Sequence, residues 1–194
     1  MALVSVILPC YNVEKYIDRA IKSIVNQSIG FENIELICID DCSSDTTVEK
    51  LEAWESLYPD NIALIKCLQN GRQGTARNIG LNYATSDYIA FIDSDDWVEP
   101  DYLEYMYNRI TKEKLQIVTC ACRRDTSTTL TYFDDAKQEN DNTLVFINTD
   151  EDRPKILIPQ PFGGAWGKII ERKFLVDNSI FFPEGLAYED IYWN

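Results

Sequence analysis

The sequence contains no histidine among its 194 residues. This absence excludes Ser-His-Asp and Cys-His mechanisms, in which an imidazole acts as the base, and every metal site that needs a histidine ligand. The glycine signatures Gly-X-X-X-X-Gly-Lys and Gly-X-Gly-X-X-Gly are also missing, which excludes P-loop and dinucleotide-binding proteins. A general base must therefore come from another side chain type, in the first place a carboxylate.

Long apolar runs are missing as well. No run approaches the ~20 residues of a transmembrane helix, and residues 1–8 lead directly into a predicted strand without the basic segment of a signal peptide. The six cysteines form no Cys-X-X-Cys pair, so we expect no zinc site. We expect reduced, mostly buried thiols in a cytoplasmic protein.

Basic residues are scarce compared with acidic ones. The chain has 18 Lys and Arg against 32 Asp and Glu, and its formal net charge is −14. This charge argues against binding a polyanion over a broad surface, so we expect no nucleic-acid partner. A single nucleotide ligand is compatible with it, because a metal ion and a few Arg or Lys residues can hold a diphosphate.

Strand and helix patterns alternate along the first half of the chain. Apolar runs typical of buried strands occur at residues 3–8, 34–39, 62–66 and 88–92. Segments with the apolar spacing of helices occur at 16–25, 48–57 and 75–84, and Pro100 starts a further predicted helix. This alternation predicts an α/β fold with a mainly parallel sheet flanked by helices. Such sheets bind ligands beyond the carboxyl ends of their strands.

The second half is less regular. We predict a strand at 116–122, a hairpin pairing 130–133 with 144–147 around the acidic loop 134–143, a glycine-rich turn at 163–168 and a short helix at 172–177. A further helix begins near residue 188, so the chain ends inside an amphipathic segment, and we expect it to be C-terminally truncated. No linker or internal repeat occurs, which favours a single domain over residues 1–194.

Carboxylates cluster at three points of the sequence: Asp40 and Asp41, then Asp93, Asp95 and Asp96, and finally Glu189 and Asp190. Each acid taken alone is compatible with a helix cap or a solvated loop. Three acids within four residues repel one another, however, and such a cluster favours a nearby cation. Hard ions such as Mg²⁺ or Mn²⁺ take a few carboxylates and complete their shell with water and phosphate oxygens.

Six segments, in this order, carry a resemblance to a known family. They are residues 5–12 (SVILPCYN), 39–45 (IDDCSSD), 70–80 (NGRQGTARNIG) and 91–100 (FIDSDDWVEP), then Trp166-X-Lys168 and Tyr188-Glu189-Asp190. Together they resemble the signature of family 2 glycosyltransferases of the inverting, bacterial polysaccharide type. The resemblance implies a GT-A fold, a nucleotide-diphosphate-sugar donor, here a UDP-sugar, and a divalent metal ion, Mn²⁺ or Mg²⁺.

The resemblance also implies roles for individual residues. The donor-binding residues would be Pro9, Tyr11, Asn12, Asp40, Asp41, Arg72, Arg77, Asp93 and Asp96. Tyr11 would pack on the base and Asp41 would accept a hydrogen bond from its edge, while Arg77 and Arg72 would contact phosphate. Asp95 would hold the metal ion itself, and Asp93 would hold either the ribose or a water molecule on the metal ion. Tyr11 could instead be a core aromatic residue, Arg72 a surface charge and Asp96 a cap.

Displacement at an anomeric carbon needs a stabilised diphosphate and a base for the acceptor hydroxyl. The resemblance assigns the base to Asp190, with Glu189 as the substitute or as a residue that orients it; both acids could instead only start a helix. One base and one displacement imply inversion. Trp166 and Lys168 would border the acceptor or the sugar, although Trp166 could belong to the core.

The expected division of the chain follows the motifs. Residues 1–100 would bind the nucleotide sugar and residues 101–194 would form the acceptor side. The acceptor would be a saccharide or a lipid-linked molecule, reached at the inner face of the membrane through peripheral association of the missing C-terminus. Two alternatives stay open: a sugar-phosphate nucleotidyltransferase, whose glycine-rich first loop is absent here, and a nucleotide-sugar-binding domain without catalysis.

Overall fold

Strands and helices alternate along the chain up to residue 113, and the computed structural model describes residues 1–120, 123–126, 129–132, 164–187 and 189. The strands are β1 Val4–Cys10, β2 Ile34–Asp40, β3 Ile62–Lys66, β4 Tyr88–Phe91, β5 Ile117–Thr119, β6 Arg123–Thr126, β7 Thr129–Tyr132 and β8 Lys168–Glu171. The helices are α1 Ile17–Val25, α2 Thr47–Leu57, α3 Arg72–Tyr83, α4 Tyr102–Glu113 and α5 Arg172–Asp177, with a 3₁₀ turn at Phe31–Asn33.

A six-stranded sheet with the order β3-β2-β1-β4-β8-β5 forms the centre of the molecule. The strands β3, β2, β1 and β4 run parallel to one another, and β8 runs antiparallel to its neighbours β4 and β5. Helices α1, α2 and α3 connect the four parallel strands in turn. The α/β fold with a mainly parallel sheet flanked by helices, predicted from the alternation, is therefore confirmed.

Helices cover both faces of this sheet. One apolar cluster packs α1, α2 and α4 against the β1 residues Val4, Val6 and Leu8. The other packs α3 and α5 against the opposite side of the sheet, around Ile7 and Phe91. Because β1 lies in the middle of the sheet and is covered on both faces, all seven of its residues are buried.

Helix α3 begins at Arg72, earlier than the start predicted at residue 75. The side chains of Asp41 and Asn70 explain the difference. The Gly71 N–H donates to Asp41 Oδ1 at a distance of 2.7 Å, and the Arg72 N–H donates to Asn70 Oδ1 at a distance of 3.3 Å. These side chains satisfy backbone N–H groups that a helix start leaves without partners, so the helix begins before its first apolar residue.

Two features of the second half were not predicted: the hairpin of β6 with β7, and strand β8. Strand β7 pairs with β6, only two residues away along the chain, and so short a loop closes at a low entropic cost; the predicted pairing of 130–133 with 144–147 lies outside the described residues. Only the first residue of strand β8, Lys168, lies in the predicted turn at 163–168. The strand's two apolar residues, Ile169 and Ile170, are both buried, yet so short a run shows no periodicity. Of the strand predicted at 116–122, residues 117–119 form β5, and residues 121 and 122 are not among the described residues.

Several expectations lie outside the described residues: the loop 134–143, the strand 144–147 and the helix start near residue 188. Among the described cysteines, Cys10, Cys38, Cys42, Cys67 and Cys120 are free. Within the described part of the chain, no helix has both the length and the apolar character needed to cross a membrane.

Candidate functional site

Three polar loops meet at the carboxyl edge of the parallel strands. β1 ends at Cys10, which pairs with Asp40 at the end of β2, and β4 ends at Phe91 on the other side of β1. The loops that follow these strands contain residues 11–16, 41–46 and 92–101. Parallel strands present their carboxyl ends at one edge, so the first two acidic motifs of the sequence lie along the same rim.

The first two loops hold each other in place. The Asn12 N–H donates to Ser43 Oγ over 3.0 Å, and the Ser44 N–H donates to Asn12 Oδ1 over 2.8 Å. Asn12 has φ 52°, a left-handed conformation that asparagine tolerates better than most residues. Tyr11 next to it is 50% exposed, so it is not a core residue and its ring is open to a ligand. Pro9 is buried inside β1, opposite Ile39.

Asp40 and Asp41 are both buried, at 3% exposure each. The Asp41 N–H donates to the Cys10 carbonyl, and its Oδ1 accepts from Gly71, so this residue ties β1 to the start of α3. Asp40 Oδ2 accepts from the Ser43 N–H over 3.1 Å, while its Oδ1 is buried without a hydrogen-bond partner among the described residues. A carboxylate at this edge of the sheet can accept a hydrogen bond from a nucleotide base, as expected of Asp41. That role of Asp41 stays a prediction.

The acidic loop, residues 93–96, is the most negative part of the rim. Asp93 Oδ1 accepts from Arg77 Nη2 over 2.7 Å and from Gln73 Nε2 over 3.1 Å. Asp95 and Asp96 are exposed to solvent. Partial desolvation, reinforced by the negative charges of Asp95 and Asp93, raises the pKa of Asp96 to about 6. The loop therefore holds more negative charge than its surroundings neutralise, which favours a cation.

Arg77 connects the acidic loop to the far end of the chain. Its side chain is 1% exposed, and besides Asp93 it is paired through Nη1 with Glu189 Oε1. The guanidinium also lies over the Phe182 ring, 5.2 Å from the ring centroid. The phosphate contact expected of Arg77 stays a prediction, and both of its terminal nitrogens are committed to carboxylates. Arg72, at the start of α3, is exposed.

One face of α3 holds what we call the distal segment, residues 180–187 and Glu189. Asn78 Nδ2 donates to the Phe182 carbonyl and the Phe182 N–H donates to Asn78 Oδ1, each at a donor–acceptor distance of 2.9 Å. A Cβ at Gly74 would lie 2.7 Å from the Pro183 carbonyl oxygen, so only glycine lets the segment approach this closely. The motif with Gly74, Arg77 and Asn78 was predicted to bind the donor. Its contacts with the distal segment were not predicted. The i, i+3, i+4 spacing of these residues was the available signal.

Trp166 and Lys168 lie beside the strand that leads to the acidic loop. The Trp166 backbone forms an isolated parallel β-bridge with Phe91, which lies two residues before Asp93. Lys168 Nζ donates to the Gly164 carbonyl over 2.5 Å, which closes the glycine-rich turn. A Cβ at Gly164 would lie 2.5 Å from Trp166 Nε1, so the ring packs directly on the turn. Both residues are near the candidate site, as expected of an acceptor-side pair, and their contact with a ligand stays a prediction.

The described part of the chain offers few protein ligands for a metal ion. Among the described residues, no three acidic or cysteine side chains are grouped as metal ligands. Asp93 already binds Arg77 and Gln73, while the exposed Asp95 makes no hydrogen bond or ion pair with any described residue. A hard ion that takes one or two carboxylates and fills its shell with diphosphate oxygens and water fits this donor set. Asp190, the expected base, lies outside the described residues.

The chain is similar to known proteins over most of its length. The family model described as "Glycosyl transferase family 2" matches residues 5–175. "Minor teichoic acid biosynthesis protein GgaB" of Bacillus subtilis (strain 168) is 46% identical over 113 residues, 58% of this chain and 12% of that protein. "Glycosyltransferase GlyA" of Streptococcus pneumoniae serotype 4 is 32% identical over 200 residues, 98% of this chain and 27% of GlyA.

A solved structure is similar over almost the whole chain. S. aureus TarS 1-349 in complex with UDP-GlcNAc matches with a TM-score of 0.81 at 26% identity, covering 98% of this chain. The chain corresponds to 52% of that structure and to 12% and 27% of the two curated relatives.

Proposed function

This chain belongs to glycosyl transferase family 2 and has a GT-A fold, and on that premise we propose that it transfers a sugar from a UDP-sugar to an acceptor hydroxyl with inversion at the anomeric carbon. The observation that carries the proposal is the meeting of the acidic loop, the buried Asp41 and the Arg77–Glu189 pair at one edge of the sheet. A UDP-sugar is favoured because TarS, 26% identical to this chain, forms a complex with UDP-GlcNAc.

We assign nucleotide binding to the first two loops. The half-exposed Tyr11 ring can stack on the base, next to Asn12, which links the two loops. Asp41 would accept a hydrogen bond from the base edge, with Asp40 beside it. The exposed guanidinium of Arg72, at the N-terminus of α3, is suited to a phosphate oxygen, because the helix end also favours negative charge.

The acidic loop would hold Mn²⁺ or Mg²⁺ together with the diphosphate. Asp95 supplies an exposed carboxylate, and Asp93 supports it from its place beside Arg77. When bound, the ion supplies Lewis-acid stabilisation of the departing diphosphate. Asp96, close to the same ion, would contact the sugar.

The base would be Asp190. The side chain of its neighbour Glu189 is 4% exposed and paired with Arg77. An incoming hydroxyl therefore cannot reach the Glu189 carboxylate to transfer its proton. Glu189 then acts by orienting the end of the distal segment. A single base and a single displacement invert the anomeric carbon. Trp166 and Lys168, beside β4, would border the acceptor or the sugar.

The acceptor would be a saccharide or a lipid-linked molecule of cell-surface polymer synthesis, at the cytoplasmic face of the membrane. The similarity to GgaB supports this setting, since GgaB is a teichoic acid biosynthesis protein. Residues 1–100 would form the donor half and residues 101–194 the acceptor half of one catalytic domain.

Donor turnover tests the proposal. The protein is incubated with Mn²⁺ and UDP-GlcNAc, UDP-glucose, UDP-galactose or GDP-mannose, and nucleotide release is measured. We expect UDP release from at least one UDP-sugar, by transfer or slow hydrolysis, and none from GDP-mannose. Binding of a UDP-sugar without release would identify a binding domain instead, and release from GDP-mannose alone would overturn the choice of donor.

A further inference from the structure

We propose that Arg77 is a positioning residue that couples the acidic loop to the distal segment by holding one carboxylate from each. The proposal rests on the proposed function in one respect, because that function gives Asp93 a donor-side role and Glu189 an acceptor-side role. The geometry of the contact is independent of that assignment. One buried cation joins two segments that are 96 residues apart along the chain, the difference between positions 93 and 189.

The contacts of Arg77 fix it from three directions. Nη2 donates to Asp93 Oδ1 over 2.7 Å, and Nη1 donates to Glu189 Oε1. The Phe182 ring packs under the guanidinium and also meets Phe91 edge-on, at 5.2 Å between centroids. Phe91 is the last residue of β4, two positions before Asp93. A shift of the guanidinium would therefore move both the acidic loop and the distal segment.

The chemistry of this bridge requires arginine. A guanidinium is planar and presents its donors as a rigid fork, so two of its nitrogens can each bind a different carboxylate. A lysine ammonium is a compact point charge that cannot span both partners in the same way. The side chains of Asp93 and Glu189 are 18% and 4% exposed, and removing the shared cation leaves both with poorly compensated charge.

The distal segment has a second attachment that does not involve Arg77. Asn78 holds the Phe182 backbone with two hydrogen bonds, and Gly74 lets the Pro183 carbonyl pack on α3. None of these contacts reaches the acidic loop. The chain thus offers a matched pair of substitutions: one at Arg77 that affects both segments, and one at Asn78 that affects only the distal segment.

Hydrogen–deuterium exchange without any ligand tests the coupling directly. We expect Arg77→Lys to speed amide exchange about tenfold both in residues 91–98 and in residues 180–187, because each loses a fixed partner. Asn78→Ala should speed exchange only in 180–187. Arg109→Lys serves as the control, since α4 covers the opposite face of the sheet, and it should change neither segment.

A rescue experiment separates a bridging cation from general destabilisation. Low concentrations of guanidinium chloride should raise the unfolding temperature of Arg77→Ala and slow exchange in both segments, while sodium chloride at the same ionic strength should not. Guanidinium should only lower the unfolding temperature of the parent and of Asn78→Ala. If Arg77→Ala does not fold, the Arg77→Lys measurements stand by themselves.

Turnover of UDP-GlcNAc supplies the functional readout. Arg77→Lys should raise KM and lower kcat by about 10- to 100-fold, the loss typical of a misplaced catalytic group, whereas Asn78→Ala should lower kcat only. If the parent releases UDP from none of the UDP-sugars but the exchange pattern holds, the proposed function fails and the coupling stands. Faster exchange in only one of the two segments of Arg77→Lys, or in every peptide alike, would overturn the coupling.

Discussion

In the proposed function, Asp41 is the side chain that recognises the edge of the nucleotide base. It is 3% exposed, and one of its oxygens accepts from the Gly71 N–H. We predict that Asp41→Ala weakens UDP binding by about 1–3 kcal/mol, the loss of one buried charged hydrogen bond. Preference for UDP over CDP should also fall. Calorimetric titration of both nucleotides measures the two effects.

Asp60→Ala is the matched control for Asp41→Ala. Asp60 is an exposed aspartate just before β3, at the amino end of the sheet, and its loss should leave UDP affinity unchanged. The unfolding temperature of each variant must be recorded as well, since Asp41 also supports the start of α3. If Asp41→Ala binds UDP as tightly as the parent, Asp41 has no part in recognising the base.

Glu189 and Asp190 are adjacent but should differ in what their loss does. Asp190→Asn keeps the size of the side chain and removes proton acceptance, so we predict that transfer falls by roughly 10²–10⁴-fold with UDP affinity little changed. Glu189→Gln retains a hydrogen-bond acceptor for Arg77, and its loss of transfer should be smaller. Steady-state kinetics with the longest available form of the protein compares them; equal rates for Asp190→Asn and the parent would place the base elsewhere.

Helix α3 organises the site at the scale of secondary structure. The buried Asn78 side chain makes two hydrogen bonds with the Phe182 backbone. Asn82, on the same helix, is exposed. We predict that Asn78→Ala lowers the free energy of unfolding by about 1–3 kcal/mol, because two backbone groups lose their partner. Asn82→Ala should lie within about 0.5 kcal/mol of the parent. Urea unfolding of both variants measures the difference, and equal stabilities would contradict the docking role of Asn78.

The parallel half of the sheet could be predicted because its signals are local. Each of β1 to β4 is an apolar run, each is separated from the next by a helical pattern, and the carboxyl-edge rule then places Asp41 and Asp93 on one rim. The acidic loop was also evident, because three acids in four residues have an electrostatic meaning that does not depend on the fold.

The rest depended on contacts between distant parts of the chain. Arg77 and Glu189 are separated by 112 positions, and no local pattern indicates that they form a buried pair. Strand β8 is too short to show a period, and its place between β4 and β5 follows from sheet pairing. The choice of β6 as the partner of β7 likewise depends on loop closure, which propensity does not reveal.

At the scale of the whole molecule, the distribution of charge favours a cation at the carboxyl edge of the sheet. The chain has a formal net charge of −14, and its carboxyl edge carries Asp40, Asp41 and the acidic loop. A diphosphate would bring further negative charge to the same edge. Arg77 is already paired with two carboxylates, so we propose that a divalent ion at Asp95 supplies the additional positive charge for donor binding at this edge.

Calorimetric titration of UDP-GlcNAc with Mn²⁺ or with a chelator tests this account most directly. The parent should bind in Mn²⁺ and lose at least about tenfold in affinity with the chelator, a difference of about 1.4 kcal/mol. Asp95→Ala should bind weakly in both conditions, while Asp87→Ala, an exposed aspartate at the opposite end of β4, should behave like the parent. Equal affinities of the parent with and without Mn²⁺, or tight metal-dependent binding by Asp95→Ala, would contradict it.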